Sequence, residues 1–173
     1  MFEQILDIYK VLGIFIIGSI IGFVVETLWC TVVNKHLTFR NAGLLGPVNP
    51  IYGVAMVMFT MLFHKFRPKK TYQIFLMAAI CGGAFEFICS VLQEMIWHTR
   101  SWDYSRDFMN LYGRTSLQYM IFWGIIGYVY ILYIYPLISE KLEKINVKYV
   151  KAGLIVGALI IAIDWIRFGI ILL

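Results

Sequence analysis

The chain has 173 residues, a formal net charge of +5, 61% hydrophobic and only 14% charged residues, and a mean hydropathy of +0.78. A soluble domain of this size cannot hide so much apolar surface, so a water-soluble globule is excluded and lipid is the implied surroundings. The basic residues cluster in loops beside apolar runs, which reads as membrane topology and not as nucleic-acid binding.

About 20 apolar residues cross a bilayer as a helix. The first such run, at 11–33, follows Glu3 and Asp7. It lacks the basic start and small-residue cleavage site of a signal peptide, so it reads as a retained helix. Within it stands Ser19-x-x-Gly22-x-x-x-Glu26-x-x-x-Cys30, a stripe on one helix face. Next comes the polar segment FRNAGLLGPVNPIYG. Its glycines and prolines cannot hold a regular helix. Gly43, Gly46, Pro47 and Pro50, running into Tyr52 and Gly53, would shape either a re-entrant lid or a rigid surface turn. In the second case Asn49 precedes Pro50 at the first helical position.

A second, short run is predicted at 51–63 and a third at 72–97. The third carries Ala79-x-x-Gly82-x-x-x-Glu86-x-x-x-Ser90, the same stripe again. Small residues let helices approach closely in lipid, so a glutamate among them points into the bundle. The segment after it, HTRSWDYSRDFMNLYGRTSLQY, mixes interfacial aromatics with charge. Trp102, Asp103, Asn110 and Arg114 are its candidate binding or gating residues. His98 lies one turn after Glu94, but a third ligand such as Asp103 or His36 has no diagnostic spacing, so no metal site is assigned. The fourth run is predicted at 117–138, and the fifth from 152 to near the end, with Gly153 and Gly157 as a GxxxG contact signal.

These runs predict an all-α polytopic membrane helix bundle of about five transmembrane helices. Its organisation would be two parallel-repeat helical hairpins, about 8–64 and about 71–138, plus a fifth helix at about 150–172, all in one integral membrane domain. One face would hold Lys10, Lys65, Arg67, Lys69, Lys70, Lys141, Lys144, Lys148 and Lys151. The other would hold Lys35, Arg40, Arg100, Arg106 and Arg114. Positive charge favours the cytoplasm, which puts the N-terminus inside and the C-terminus outside.

Counting 1.5 Å per residue, Glu26, Glu86 and Asp164 all lie about 20 Å from the inner ends of their helices. That is one level, in the outer half of a hydrocarbon core about 30 Å thick, with Glu94 nearer the surface. Buried acids are costly unless paired, protonated or wet. Three of them at one depth predict a substrate- or ion-binding site, which Arg40, Asn41, Glu94, Asn110 and Arg114 would complete. Their alternative role is structural, as hydrogen bonds that knit the bundle. Arg167, one turn after Asp164, could pair with it. Cys30, Cys81 and Cys89 sit in apolar runs and suggest neither disulfides nor metal. No phosphate-binding loop, H-E-x-x-H or G-x-S-x-G occurs, and no cofactor is implied.

The string R-N-x-G-x-x-G-P-x-x-P-I-Y-G at 40–53 follows a glutamate late in the first span. Beyond it stand Gly82-Gly83-x-x-Glu86, Trp102-Asp103-Tyr104-Ser105, Asn110, Gly113-Arg114 and Trp123-Gly124. In these features the chain resembles the CmpB-like "putative ABC-transporter type IV" membrane proteins of bacteria, most clearly over 15–127. The resemblance implies a bacterial cytoplasmic-membrane location and a separate ATPase subunit, since this chain has no phosphate-binding loop of its own. The functional expectation is a permease-like protein for a small solute or ion. The alternatives are an intramembrane enzyme acting on lipid or a lipid-linked group, and a non-transporting subunit or sensor. Membrane lipid is the expected surrounding partner, and the GxxxG leaves a homo-oligomer open.

Overall fold

The computed structural model describes residues 7–39, 46–66, 68, 70–144 and 148–171. Helix α1 spans Ile8–Asn34, α2 Pro50–Phe66 and α3 Thr71–Trp97. A two-residue antiparallel ribbon follows, β1 Asn110–Leu111 against β2 Thr115–Ser116, pairing Asn110 with Ser116 and Leu111 with Thr115. Then come α4 Leu117–Val129, a π turn Tyr130–Ile134, α5 Tyr135–Glu143 and α6 Lys148–Ile171.

Three helical stretches, Ile8–Asn34, Thr71–Trp97 and the continuous Leu117–Leu142, are long and apolar enough to cross a membrane, and Pro50–Phe66 is a shorter apolar helix. Large apolar side chains on them, Leu28, Val32, Ile80 and Met95 among others, are exposed on the protein surface. Apolar surface on this scale belongs against lipid. The fold is the all-α membrane bundle that the apolar runs predict, with the small ribbon as an addition inside a loop.

Helix ends follow local chemistry. The Asp7 carboxylate caps α1 by accepting the Lys10 N–H at 2.7 Å, and Lys35 ends the helix in the left-handed region at φ 58°. His98 ends α3 in the same way at φ 52°. The run from 117 is not a plain α-helix. Pro136 has no N–H, and its ring crowds the carbonyl four residues back, so the turn before it widens. The Tyr135 N–H accordingly donates to the Tyr130 carbonyl, five residues back.

The chain forms two compact units. Of the described residues, one unit holds those from 7 to 58 together with those from 136 to 171, and the other holds those from 59 to 135. In the first unit, α1 meets the start of α2 through small residues. A side chain on Gly22 would overlap the Tyr52 ring, and one on Gly53 would overlap Ser19. Among the described residues, Gly157 of α6 faces Ile16 of α1, whereas nothing lies within 4 Å of a side chain placed on Gly153. In the second unit, α3 and α4 pack as an antiparallel pair. Gly82 lies under Trp123, Gly83 under Met120, and Gly127 on Ala78. Trp123 is itself buried between Phe59 and Phe85, with ring centroids at 6.0 and 6.2 Å. The small-residue stripes thus do what their composition predicts: they set close helix contact and leave a glutamate on the inward face.

Candidate functional site: two carboxylates with reversible partners

Glu26 stands one turn beyond Gly22 on α1 and is half-buried. Asn49, the residue just ahead of α2, donates its Nδ2 to Glu26 Oε2 at 2.6 Å. Two further bonds hold Asn49 in place. Its N–H donates to the Ser19 carbonyl at 2.8 Å, and its own carbonyl accepts the Tyr52 N–H at 3.1 Å. The Asn49 side-chain oxygen is buried and has no hydrogen-bond partner among the described residues.

This geometry combines both readings of the glycine- and proline-rich segment. Pro50 does begin α2, as a rigid turn would have it. The asparagine before it, however, sends its side chain to a carboxylate on another helix. Gly46 and Pro47 form a tight bend in which the Val48 N–H donates to the Gly46 carbonyl at 2.8 Å. Tyr52 and Gly53 are packing residues against α1. Arg40, Asn41 and Gly43 lie outside the described residues.

Glu86 on α3 is 8% exposed. Its Oε2 accepts the Thr115 hydroxyl at 2.8 Å and its Oε1 the Tyr104 hydroxyl at 3.1 Å. Tyr104 is held by stacking on Tyr119, with ring centroids 3.9 Å apart and planes at 19°. Thr115 is held in β2.

Two turns further along α3, Glu94 has different company. Its carboxylate accepts Arg100 Nε and NH2, each at 3.0 Å, and pairs with the Arg114 guanidinium. Arg114 also donates to Ser90 Oγ at 3.1 Å and lies over the Phe87 ring. Glu94 and Arg114 are therefore engaged with one another.

The loop between α3 and α4 is built from its own polar groups. The Trp102 indole N–H donates to the Arg114 carbonyl at 2.9 Å. Asp103 accepts the Ser105 N–H at 2.9 Å and also its hydroxyl. The Ser105 hydroxyl, more than any other neighbour, holds the Asp103 carboxyl below its ordinary value. Asn110 donates to the Asp107 carbonyl at 3.0 Å and accepts the Gly113 N–H at 3.0 Å. The ribbon turns at Tyr112, φ 53°, and Gly113, φ 69°, closed by the Arg114 N–H on the Leu111 carbonyl at 3.0 Å. Two successive positive φ values give the primed turn that suits a hairpin. Such a turn demands glycine at Gly113, where a side chain would also strike Ser105 and Asp103.

Asp164 of α6 is 2% exposed, and Arg167 points to the surface. His36 bonds Thr38 at 2.9 Å, and His98 is the cap of α3. Among the described residues no group of three or more His, Cys, Asp or Glu could hold a metal ion. Tyr104 and Thr115 are partners of Glu86 that the sequence alone does not single out. Their one available signal was position: each lies in the segment that leads from the glutamate's helix into the next, as Asn49 does for Glu26.

Fold and site together define a polytopic, all-α membrane protein with acids on the inward faces of its helices. Residues 13–168 match the family described as "Putative ABC-transporter type IV". The chain belongs to that family. No curated protein matches it, and no solved structure does.

Proposed function

We propose that the protein is a permease-like membrane transport protein in which Glu26 and Glu86 exchange a proton for a small cation or for the ammonium group of a solute. The observation that carries this reading is the kind of partner each acid has. A hydroxyl donates to a carboxylate and accepts from a carboxylic acid, simply by turning its O–H. An amide does the same by turning over, and among the described residues nothing donates to the buried Asn49 oxygen. Tyr104 and Thr115 on Glu86, and Asn49 on Glu26, therefore suit both protonation states. Guanidinium groups donate only. Glu94, clasped by Arg100 and Arg114, stays an anion and serves as a clamp for the outer loop.

The matched stripes and the matched placement of the partners support the reading of two repeated hairpins. The distribution of lysine and arginine supports a cytoplasmic N-terminus, with the acids in the outer half of the bilayer. Asp164, buried on α6, is assigned to the same acid set. The family description supports a separate ATPase as partner, to be sought by co-purification from native membranes.

The test is reconstitution in liposomes with a trapped pH-sensitive dye and a panel of small cations and amines. Glu86→Gln and Glu26→Gln are each expected to lower proton-linked flux tenfold or more. Flux equal to wild type in both removes the assignment.

A further inference from the structure

A second polar group lies inside the unit Phe59–Tyr135, well away in sequence from either acid. Thr60 and His64 stand one turn apart on α2, and each bonds a tyrosine. Thr60 Oγ1 is 2.6 Å from the Tyr130 hydroxyl, and His64 Nε2 is 2.5 Å from the Tyr135 hydroxyl. Thr60, Tyr130 and Tyr135 are each 1% exposed. The two phenol rings meet edge to face at 6.1 Å, and the His64 ring lies edge to face with Tyr135 at 5.7 Å.

Two side chains five residues apart on an α-helix stand about 140° apart around its axis, so Tyr130 and Tyr135 would not both meet α2. The π turn puts one more residue into the coil and brings the two phenols round to the same side. Pro136 is the chemical cause of that turn. The helix thus gives up regular geometry at the one place where doing so seats a phenol on an imidazole. Widened turns of this sort are frequent at functional sites.

We propose that His64 and Tyr135 form a proton-binding site, separate from the carboxylates and independent of the reading given to them. With His64 neutral, the Tyr135 O–H donates to Nε2 and the ring's own hydrogen sits on Nδ1. Uptake of one proton from water makes Nε2–H, which donates to the Tyr135 oxygen, and the phenol keeps its proton and turns it away from the ring. The ring gains one positive charge, no covalent bond of the protein is broken, and the Tyr135–His64 hydrogen bond reverses its direction. Histidine is the side chain suited to such a change near neutral pH. Among the described residues, the phenols of Tyr130 and Tyr135 are titratable groups that bond α2 here. At the same ends of α2 and α3, Lys65 and Lys70 are both exposed to the surroundings and raise the local positive charge.

The test uses full-length protein labelled with ¹⁵N-histidine in lipid nanodiscs, followed by NMR from pH 5 to pH 9. His64 signals are identified by their loss in His64→Gln. The expected result is one Nδ1–H tautomer at high pH that converts to imidazolium within the range. In Tyr135→Phe the tautomers mix and the midpoint moves by about 0.5–1 pH unit, the scale of one net hydrogen bond. Pro136→Ala restores an N–H, lets the turn close to an α-helix, and should give the same tautomer mixing with the phenol still present. A His64 that does not titrate in this range overturns the proposal. So does one whose tautomer and midpoint are unchanged in Tyr135→Phe. If Tyr135→Phe does not fold, an unchanged His64 signal in Pro136→Ala is the overturning result.

Discussion

Glu86 and Glu94 stand two turns apart on one face of α3, about 12 Å along its axis, yet the chain treats them in opposite ways. Glu86 meets two hydroxyls, from Tyr104 and Thr115, while Glu94 meets two guanidinium groups, from Arg100 and Arg114. One loop supplies all four partners, so nearness in sequence does not separate the two acids. What separates them is whether the partner can reverse its hydrogen bond. An acid on reversible partners can change its protonation state without leaving a buried group unsatisfied, which would otherwise cost about 1–3 kcal/mol. An acid on guanidinium groups gives up its charge-assisted bonds when it takes a proton, so its carboxylate form is favoured. By this criterion Glu26, bonded by the Asn49 amide, belongs with Glu86.

The largest expected effect is on transport. Glu86→Gln should reduce proton-linked flux by at least tenfold, whereas Glu94→Gln should stay within about twofold of wild type and lower the melting temperature instead. Equal flux loss in the two would break the comparison.

Gly113→Ala comes next. It places a side chain at φ 69°, against Ser105 and Asp103, and should cost about 1–2 kcal/mol, read as a lower Tm and faster proteolysis of the loop. Because Arg114 and Thr115 follow directly, both acids should be disturbed together. Flux should therefore fall with stability here, unlike in Glu94→Gln.

Arg114→Lys keeps the charge but not the fork that reaches Ser90 and Glu94 together. The expected outcome is a Tm lower by about half the change seen for Gly113→Ala, with flux nearly intact.

The smallest effect is at Asp103, whose carboxyl is held below its ordinary value chiefly by the Ser105 hydroxyl. A depressed folded-state value means that its contribution is present in full above the ordinary carboxylate range. It is lost as pH falls through the folded value. Thermal melts of wild type and Asp103→Asn should therefore differ by a constant small amount from pH 5 to pH 8 and converge in acid.

How much of this was legible in the sequence follows from range. The apolar runs place α1, α3 and the long helix from 117 to within a few residues, because lipid imposes one periodicity and one length. The stripes around Glu26 and Glu86 read correctly as contact faces, since small residues there have one physical use. The partners were not legible. Asn49 looks like the cap of its own helix, and only the approach of α1 to α2 gives it a carboxylate to bond. Tyr104 looks like an interfacial aromatic until its ring stacks on Tyr119. The π turn had a local signal in Pro136, hidden inside an apolar run that reads as unbroken. Glu94 and Arg114 read as binding residues from their types alone, because both types occur in sites. Their pairing with one another depends on a loop fold that spacing does not encode.

Under the proposed transport reading, Glu86 changes protonation in place while Glu94 does not. Infrared difference spectroscopy of the protein in membranes, taken between acid and neutral pH, reads it directly. The expected result is a protonated-carboxyl band that disappears on going to neutral pH, is reduced to its Glu26 component in Glu86→Gln and is undiminished in Glu94→Gln. A band undiminished in Glu86→Gln and reduced in Glu94→Gln would contradict it.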